Sequence, residues 1–391
     1  MLKLKFDWRD VVRAPRLALS LQRMWIQLVG MSVGYLVYLA LSYLSLIVAG
    51  YEFKVAWSQF GLLPCLFGIG DSFPWISWLL FGLGSLFFFV TFLVTNTAVS
   101  RAVYMTSKGN SFYSWREAFA FSFRKLGSVV LAPLALLLLI GLLILGAAVV
   151  GLLGKIPFVG EIGVSLFTLV WILSALLIFF LVLVTFVTVI LVPSIIATTD
   201  EDAFEAIFQS FSIAWSQPWR FLFYEVVTVV ASFLALAGLA FFIKEAVFIL
   251  NALLGSFMGA DFINLANNGQ ALLQSWILLA ENVFQRLYGD YVSYFFFSKQ
   301  FVPIPGAELP ISVTISSYIY ALNLLFIGGW VISYAISTFT AGTTISFLVL
   351  KYKKDEENLL ERQDNEEEIE DDTLDEESSK ADEQTDDEEK K

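Results

Sequence analysis

The sequence predicts an all-α polytopic membrane protein: a six-helix transmembrane bundle built from three repeats of a cytoplasmic interfacial helix and a transmembrane hairpin. Three observations lead there. The 391 residues are 58% hydrophobic with a mean hydropathy of +0.73, above the roughly 45–50% apolar content of a soluble domain. The apolar residues gather into six stretches long enough to cross a bilayer. Lys and Arg fall mostly on one side of those stretches.

Charge is unevenly placed. Residues 355–391 hold 20 Asp and Glu against 4 Lys and Arg, a net of −16, whereas the whole chain carries −12. The acidic pI of 4.6 therefore belongs to the tail, and residues 1–354 are mildly basic at +4. A very apolar body with an acidic tail excludes a soluble enzyme, a disordered chain and a nucleic-acid binder. It leaves the lipid bilayer as the first partner.

About 20 apolar residues cross the hydrocarbon core. Six stretches qualify: 25–50, 75–99, 127–153, 162–192, 220–250 and 311–350. A charged lead of this length, with no small-residue cleavage site after the apolar run, is not expected to be a cleaved signal peptide. Residues 1–24 then form a cytoplasmic amphipathic segment, 25–350 the six-span domain, and 351–391 an acidic, disordered cytoplasmic tail. Residues 220–259 and 311–350 can each form about 40 helical residues, or roughly 60 Å, twice the hydrocarbon thickness of about 30 Å. They either break or project beyond it.

Orientation follows from the basic residues. Lys3, Lys5, Arg9, Arg13, Arg16 and Arg23 precede the first span. Arg101, Lys108, Arg116, Arg124 and Lys125 lie between the second and third, Arg220 between the fourth and fifth, and Lys351, Lys353 and Lys354 after the sixth. These 15 face 5 on the other side (Lys54, Lys155, Lys244, Arg286 and Lys299). The majority side is read as cytoplasmic, with both termini there. An even number of spans agrees.

The segment 251–310 is an outer helical insert. Asp261, Asn264, Asn267 and Asn268 interrupt its apolar character, and Leu272, Trp276, Leu279, Val283 and Leu287 recur at helical spacing. An aromatic cluster follows (Tyr288, Tyr291, Tyr294 and Phe295 to Phe297), then Pro303 and Pro305. This reads as an interfacial helix with an aromatic belt, or as a docking surface for a partner.

The repeat is read from three short segments. Asp7-Trp8-Arg9-Asp10, Ser114-Trp115-Arg116-Glu117 and Asp202-Ala203-Phe204-Glu205 each place an acid three residues after a helix-capping side chain, the capping-box pattern. Glu117-Ala118 and Ser122-Phe123 recur 88 residues on as Glu205-Ala206 and Ser210-Phe211. Helices are expected over 7–22, 112–126 and 202–216. Phe119, Phe123 and Leu126 fall on one face of the second, and Phe204, Phe208, Phe211 and Trp215 on one face of the third. Glu117 and Glu205 are read as caps rather than a catalytic pair, and Ser122 and Ser210 as small residues for close packing.

Zero His and one Cys, Cys65, remove His-based triads and zinc sites, intrachain disulfides and Cys-rich metal sites. Cys65 lies in an apolar run and reads as a small buried hydrophobe. No nucleotide-binding, zinc or EF-hand motif is present, so no catalytic, cofactor or metal residue is assigned and no cofactor is implied. Within the spans, Glu225 is expected to snorkel back to the interface or to pair with Arg220, Arg124 or Lys125, in preference to forming a cargo or proton site, and Asn96 and Asn323 to bond between helices. Gly30-x-x-x-Gly34 and the small-residue run from Ser337 to Ser346 predict close helix approach. Pro133 and Pro193 mark candidate kinks.

Val192-Pro193-Ser194, Asp202 to Ala206, Ser210 and Pro218-Trp219-Arg220 resemble bacterial uncharacterised membrane proteins related to the membrane domain of glycerophosphoryl diester phosphodiesterases. The resemblance implies a surface helix between hairpins of a six-span bundle. Activity in those relatives belongs to a separate barrel domain that nothing in this chain matches, so no activity is implied. The resulting expectation is a non-enzymatic protein of a bacterial inner membrane. It organises, assembles or regulates a protein partner through the acidic tail or the segment 251–310. A transporter with a site among the spans is the alternative.

Overall fold

A computed structural model describes residues 4–66, 73–110, 112–288 and 310–362. In chain order the helices are α1 (Trp8–Val11), α2 (Ala14–Ala18), α3 (Leu21–Val48), α4 (Phe53–Phe60), α5 (Trp75–Lys108), α6 (Trp115–Arg124), α7 (Leu126–Leu153), α8 (Val159–Leu166), α9 (Thr168–Thr199), α10 (Ala203–Ser216), α11 (Pro218–Met258), α12 (Ala260–Tyr288) and α13 (Ile311–Asp355). No strand occurs among the described residues. Six of these helices are long and apolar enough to cross a membrane: α3, α5, α7, α9, α11 and α13.

Two of them settle the length question. α11 runs 41 residues and α13 runs 45 without a break, about 60 Å or more at 1.5 Å per residue. They do not break. Beyond the membrane-length portion, α12 packs along both and against α4. One apolar cluster there joins Val247, Leu273, Ala321 and Leu324, with Leu272 and Trp276 packed against it. A second joins Tyr43, Leu46, Ala56, Phe60, Leu66 and Phe81, with half-buried Cys65 at its edge. Asp261, Asn264, Asn267 and Asn268 sit within the continuous helix α12. The cluster from Tyr291 to Phe297, with Pro303 and Pro305, lies outside the described residues.

A ladder of tyrosines holds the chain after α4. Tyr35, Tyr38 and Tyr43 of α3 donate to the carbonyls of Leu62, Pro64 and Gly61. Leu62 in turn donates to the Trp276 carbonyl of α12 at 2.8 Å. The turn requires glycine at Gly61 (φ +54°), where an added Cβ would strike that same carbonyl.

At the other end the stretch before α1 meets the last turns of α13. Phe6 stacks on Tyr352 with ring centroids 3.7 Å apart, and Lys353 reaches Asp7 at 3.5 Å. The largest core cluster lies here, joining α1, α2, α6, α10 and the adjoining ends of α5, α9, α11 and α13. The helix expected over 7–22 is two short helices, because Pro15 lacks the N–H that would carry the first helix onward and instead starts α2. The expected second and third segments are α6 and α10. Their large apolar residues Phe123, Phe204, Phe208 and Trp215 point away from the protein, while Ala118, Phe121, Ser122, Ala206, Ser210 and Ile213 face it.

The start of the tail differs from expectation. Glu356 turns the chain in a left-handed conformation, and Leu359 and Leu360 enter the core at 2% exposure each. Tyr104 donates to the Leu359 carbonyl at 2.8 Å, and Arg362 pairs with Glu201 at 3.1 Å. The segment through Arg362 is thus part of the fold. Two apolar side chains in an acidic stretch suffice to dock it when a pocket is built by distant residues. Residues 363–391 lie outside the described residues.

Candidate functional site: a polar seam around the last helix

α13 contacts α1, α2, α3, α5, α9, α11 and α12. Its stretch from Ser337 to Ser346 is rich in hydroxyls and small residues, and every side chain there except Phe339 is buried. The expected close packing exists, and it carries a hydrogen-bonded seam. Thr340 donates to Asn96 of α5 (3.1 Å), and Thr344 donates to Ser100 of α5 (3.1 Å) and lies 3.2 Å from Ser194 of α9. Ser337 donates to the Arg23 carbonyl of α3 (3.3 Å). Thr343 donates to Glu225 of α11 (3.2 Å), and Thr228 lies 3.5 Å from Ser346. Each residue is one turn or less from the next on α13, so a single helix touches four others in turn. Such bonds average about 0.6 kcal/mol each within a membrane, and their directionality sets the helix register.

Small residues make the approach close enough. A Cβ on Gly30 of α3 would overlap Thr95 of α5, one on Gly34 would crowd Thr91, and one on Gly342 would overlap Thr228. Pro133 and Pro193 lie inside α7 and α9, which continue through them.

Glu225 does not pair with Arg220, Arg124 or Lys125. Lys125 is taken by Asp200, with Nζ 2.7 Å from its carboxylate and 2.6 Å from its carbonyl. Arg124 and Arg220 are exposed, the former with its guanidinium 5.5 Å from the Phe121 ring centroid. The rotation of α11 turns Glu225 toward α13 instead, where it is 7% exposed. Asn96 bonds across helices as expected, whereas Asn323 is exposed on α13.

Two arginines counted as loop charges are interior. α5 continues to Lys108, which buries Arg101 completely. Its Nη1 donates to the Ala197 carbonyl at the end of α9 (3.0 Å), and its guanidinium carbon lies 4.4 Å from the Phe121 ring centroid. Arg23 lies within α3, nearly buried, and donates to Thr106 at 3.1 Å. Sequence reasoning missed both, because charge marks an interface only when no partner helix lies beside it. Their one available signal was position, since each sits within helical reach of an apolar run.

The repeated acids are absorbed locally. The Ser114 N–H donates to Glu117 at 2.8 Å, and the Glu117 N–H donates to Ser114 Oγ at 3.3 Å, a closed capping box. At the third segment the Glu205 N–H donates to Asp202 at 3.0 Å, but the Glu205 carboxylate accepts from Gln209 (2.7 Å) rather than reaching back. Ser122 and Ser210 are both fully buried and donate to the carbonyls four residues earlier. Replacing Glu117 or Glu205 by Gln is expected to shift stability by no more than about 0.5 kcal/mol, since Gln also completes the capping box at 117 and its amide oxygen still accepts from Gln209 at 205. A chemical or thermal unfolding series checks this. Loss of cellular function with unchanged stability would return these carboxylates to consideration as chemical groups.

No family model, curated protein or solved structure matches this chain. The reading of its role therefore rests on the arrangement itself. The seam is a set of directional contacts between helices, with one carboxylate in its wall.

Proposed function

We propose that this chain is a non-enzymatic protein of a bacterial cytoplasmic membrane that assembles with, and thereby organises or regulates, a protein partner. In this reading both termini are cytoplasmic. The body repeats three times an interfacial helix followed by a transmembrane hairpin. Kinship to the membrane domain of glycerophosphoryl diester phosphodiesterases, without their catalytic barrel, belongs to the same reading.

One observation carries the partner reading. The distal halves of α7 and α9, with α8 between them, stand apart from the other spans. From Gly141 to Phe180 only Gly160 is buried among the residues whose side chains are described. At Gly30, Gly34 and Gly342 a glycine admits a neighbouring helix. Here a Cβ on Gly141, Gly146 or Gly151 would meet nothing within 4 Å. Small residues on a spanning helix allow close backbone approach, and this hairpin offers them to no helix of its own chain. The acidic residues 363–391 and the segment 251–310 add two further surfaces.

Purification of the full chain in mild detergent tests this. A stoichiometric protein partner is expected, lost on Gly146→Leu with Gly151→Leu while Tm is unchanged, because both positions face open space. A monomer accompanied only by lipid sinks the reading.

The supports for orientation are the 15-to-5 distribution of basic residues and the charge rule for cytoplasmic loops. In a Cys65→Ala background, a cysteine at exposed Asn110 is expected to resist an impermeant thiol reagent in intact cells, and one at exposed Gln59 to react. The reverse pattern inverts the topology. Asn267, in the outer insert, is buried and unsuited to this test.

A further inference from the structure

The wall of the seam between α11 and α13 contains a buried carboxyl group, Glu225. Glu225 and Thr228 lie three residues apart on one face of α11, and Thr343 and Ser346 lie three apart on the facing side of α13. The pairs meet, with Thr343 Oγ1 3.2 Å from Glu225 Oε2 and Thr228 Oγ1 3.5 Å from Ser346 Oγ. Gly342 brings the backbones together, since a Cβ there would overlap Thr228. Thr228 and Ser346 are fully inaccessible, Thr343 is 2% exposed and Glu225 7%. The second carboxylate oxygen, Glu225 Oε1, is buried with no hydrogen-bond partner.

An ionised carboxylate in such a place costs several kcal/mol unless a positive charge lies beside it. Among the described residues no Lys or Arg forms an ion pair with Glu225, and the chain has no His. The charge that balances one carboxylate is a single positive one. The donors are all oxygen, one anionic and three neutral hydroxyls, which suits a small hard cation. A divalent ion would call for more carboxylates, and no group of three acidic or other metal-ligating side chains occurs among the described residues.

We propose that Glu225, Thr228, Thr343 and Ser346 form a binding site for a monovalent cation of the sodium class. The ion neutralises Glu225 and ties the inner part of α11 to α13. The site is independent of the partner reading and requires no transport. Cation binding to the folded chain stabilises it by mass action.

The test is thermal unfolding of the purified full chain in nanodiscs, titrated with sodium chloride against choline chloride at constant ionic strength. The expected result is a saturable rise of Tm in sodium alone. Glu225→Gln, which keeps the Thr343 bond, is expected to abolish the rise. Thr228→Val, a near-isosteric loss of one donor, is expected to move the half-saturating sodium concentration up at least about tenfold, and serves if the Gln variant does not fold. Equilibrium dialysis with radioactive sodium reads binding directly. Equal Tm in the two salts, with no sodium retained, assigns Glu225 a proton instead and overturns the site. A sodium response undiminished in either variant places the ion elsewhere and overturns it equally.

Discussion

Truncation after Lys354 is expected to destabilise the protein, whereas truncation after Arg362 leaves its Tm unchanged. The difference lies in eight residues. Leu359 and Leu360 are each 2% exposed in the largest core cluster, and burial of a leucine contributes about 1.5–3 kcal/mol. The Tyr104 bond to the Leu359 carbonyl adds about 0.5–1.5 kcal/mol. The Arg362–Glu201 pair is exposed on both sides and adds little. A loss of about 3.5–7.5 kcal/mol is therefore expected from truncation after Lys354. Leu359→Ala with Leu360→Ala is expected to reproduce most of it, since each such core truncation costs about 2–5 kcal/mol. Residues 363–391 hold 16 Asp and Glu and almost no apolar side chains, so they bring little burial to offset ordering entropy. Equal melting of both truncated chains and the full chain would show that the docked segment is dispensable.

Gly30→Ala is expected to cost about 1–3 kcal/mol, the usual penalty of forcing an extra group into a packed core. The new Cβ would overlap Oγ1, Cγ2 and Cβ of Thr95, which lies within the bundle and donates to Thr91 of its own helix. Neither residue can turn away without separating α3 from α5, the most extensively paired helices of the fold. Thr95→Ala in the same chain removes the two closest atoms and is expected to restore about half the loss. Coupling of this kind is read from a double-mutant cycle. If the two substitutions add independently, the helices are not in contact there. The same substitution at Gly141 or Gly146, which face open space, is expected to be harmless in the isolated chain.

Features that depend on neighbours along the chain were legible from the residues alone. The six helices long and apolar enough to cross a membrane were legible because the free energy of placing a segment in lipid is roughly additive over about 20 consecutive residues. The Ser114 and Asp202 caps were legible because their bonds span three residues. The Gly30 and Gly34 approach was legible from a four-residue spacing on one helix face. Helix ends were less so. α5 runs to Lys108 rather than 99, and α9 to Thr199 rather than 192, because a helix leaves the apolar run without ending if other helices satisfy its polar residues.

Which distant groups meet was set by how the helices pack. Arg101 looked like an interfacial charge, and it is interior because the end of α9 offers the Ala197 carbonyl and α6 offers Phe121. Leu359 and Leu360 looked like strays in a solvated tail, and they are core because Tyr104 lies 255 residues earlier in the chain. Glu225 had three candidate cations, Arg220 five residues before it and Arg124 and Lys125 across the bundle, yet Lys125 went to Asp200 and the rotation of α11 gave Glu225 to Thr343. In each case the deciding partner lies on another helix. A pairing across helices depends on rotation and depth, which local periodicity leaves open and the packing of the whole bundle sets.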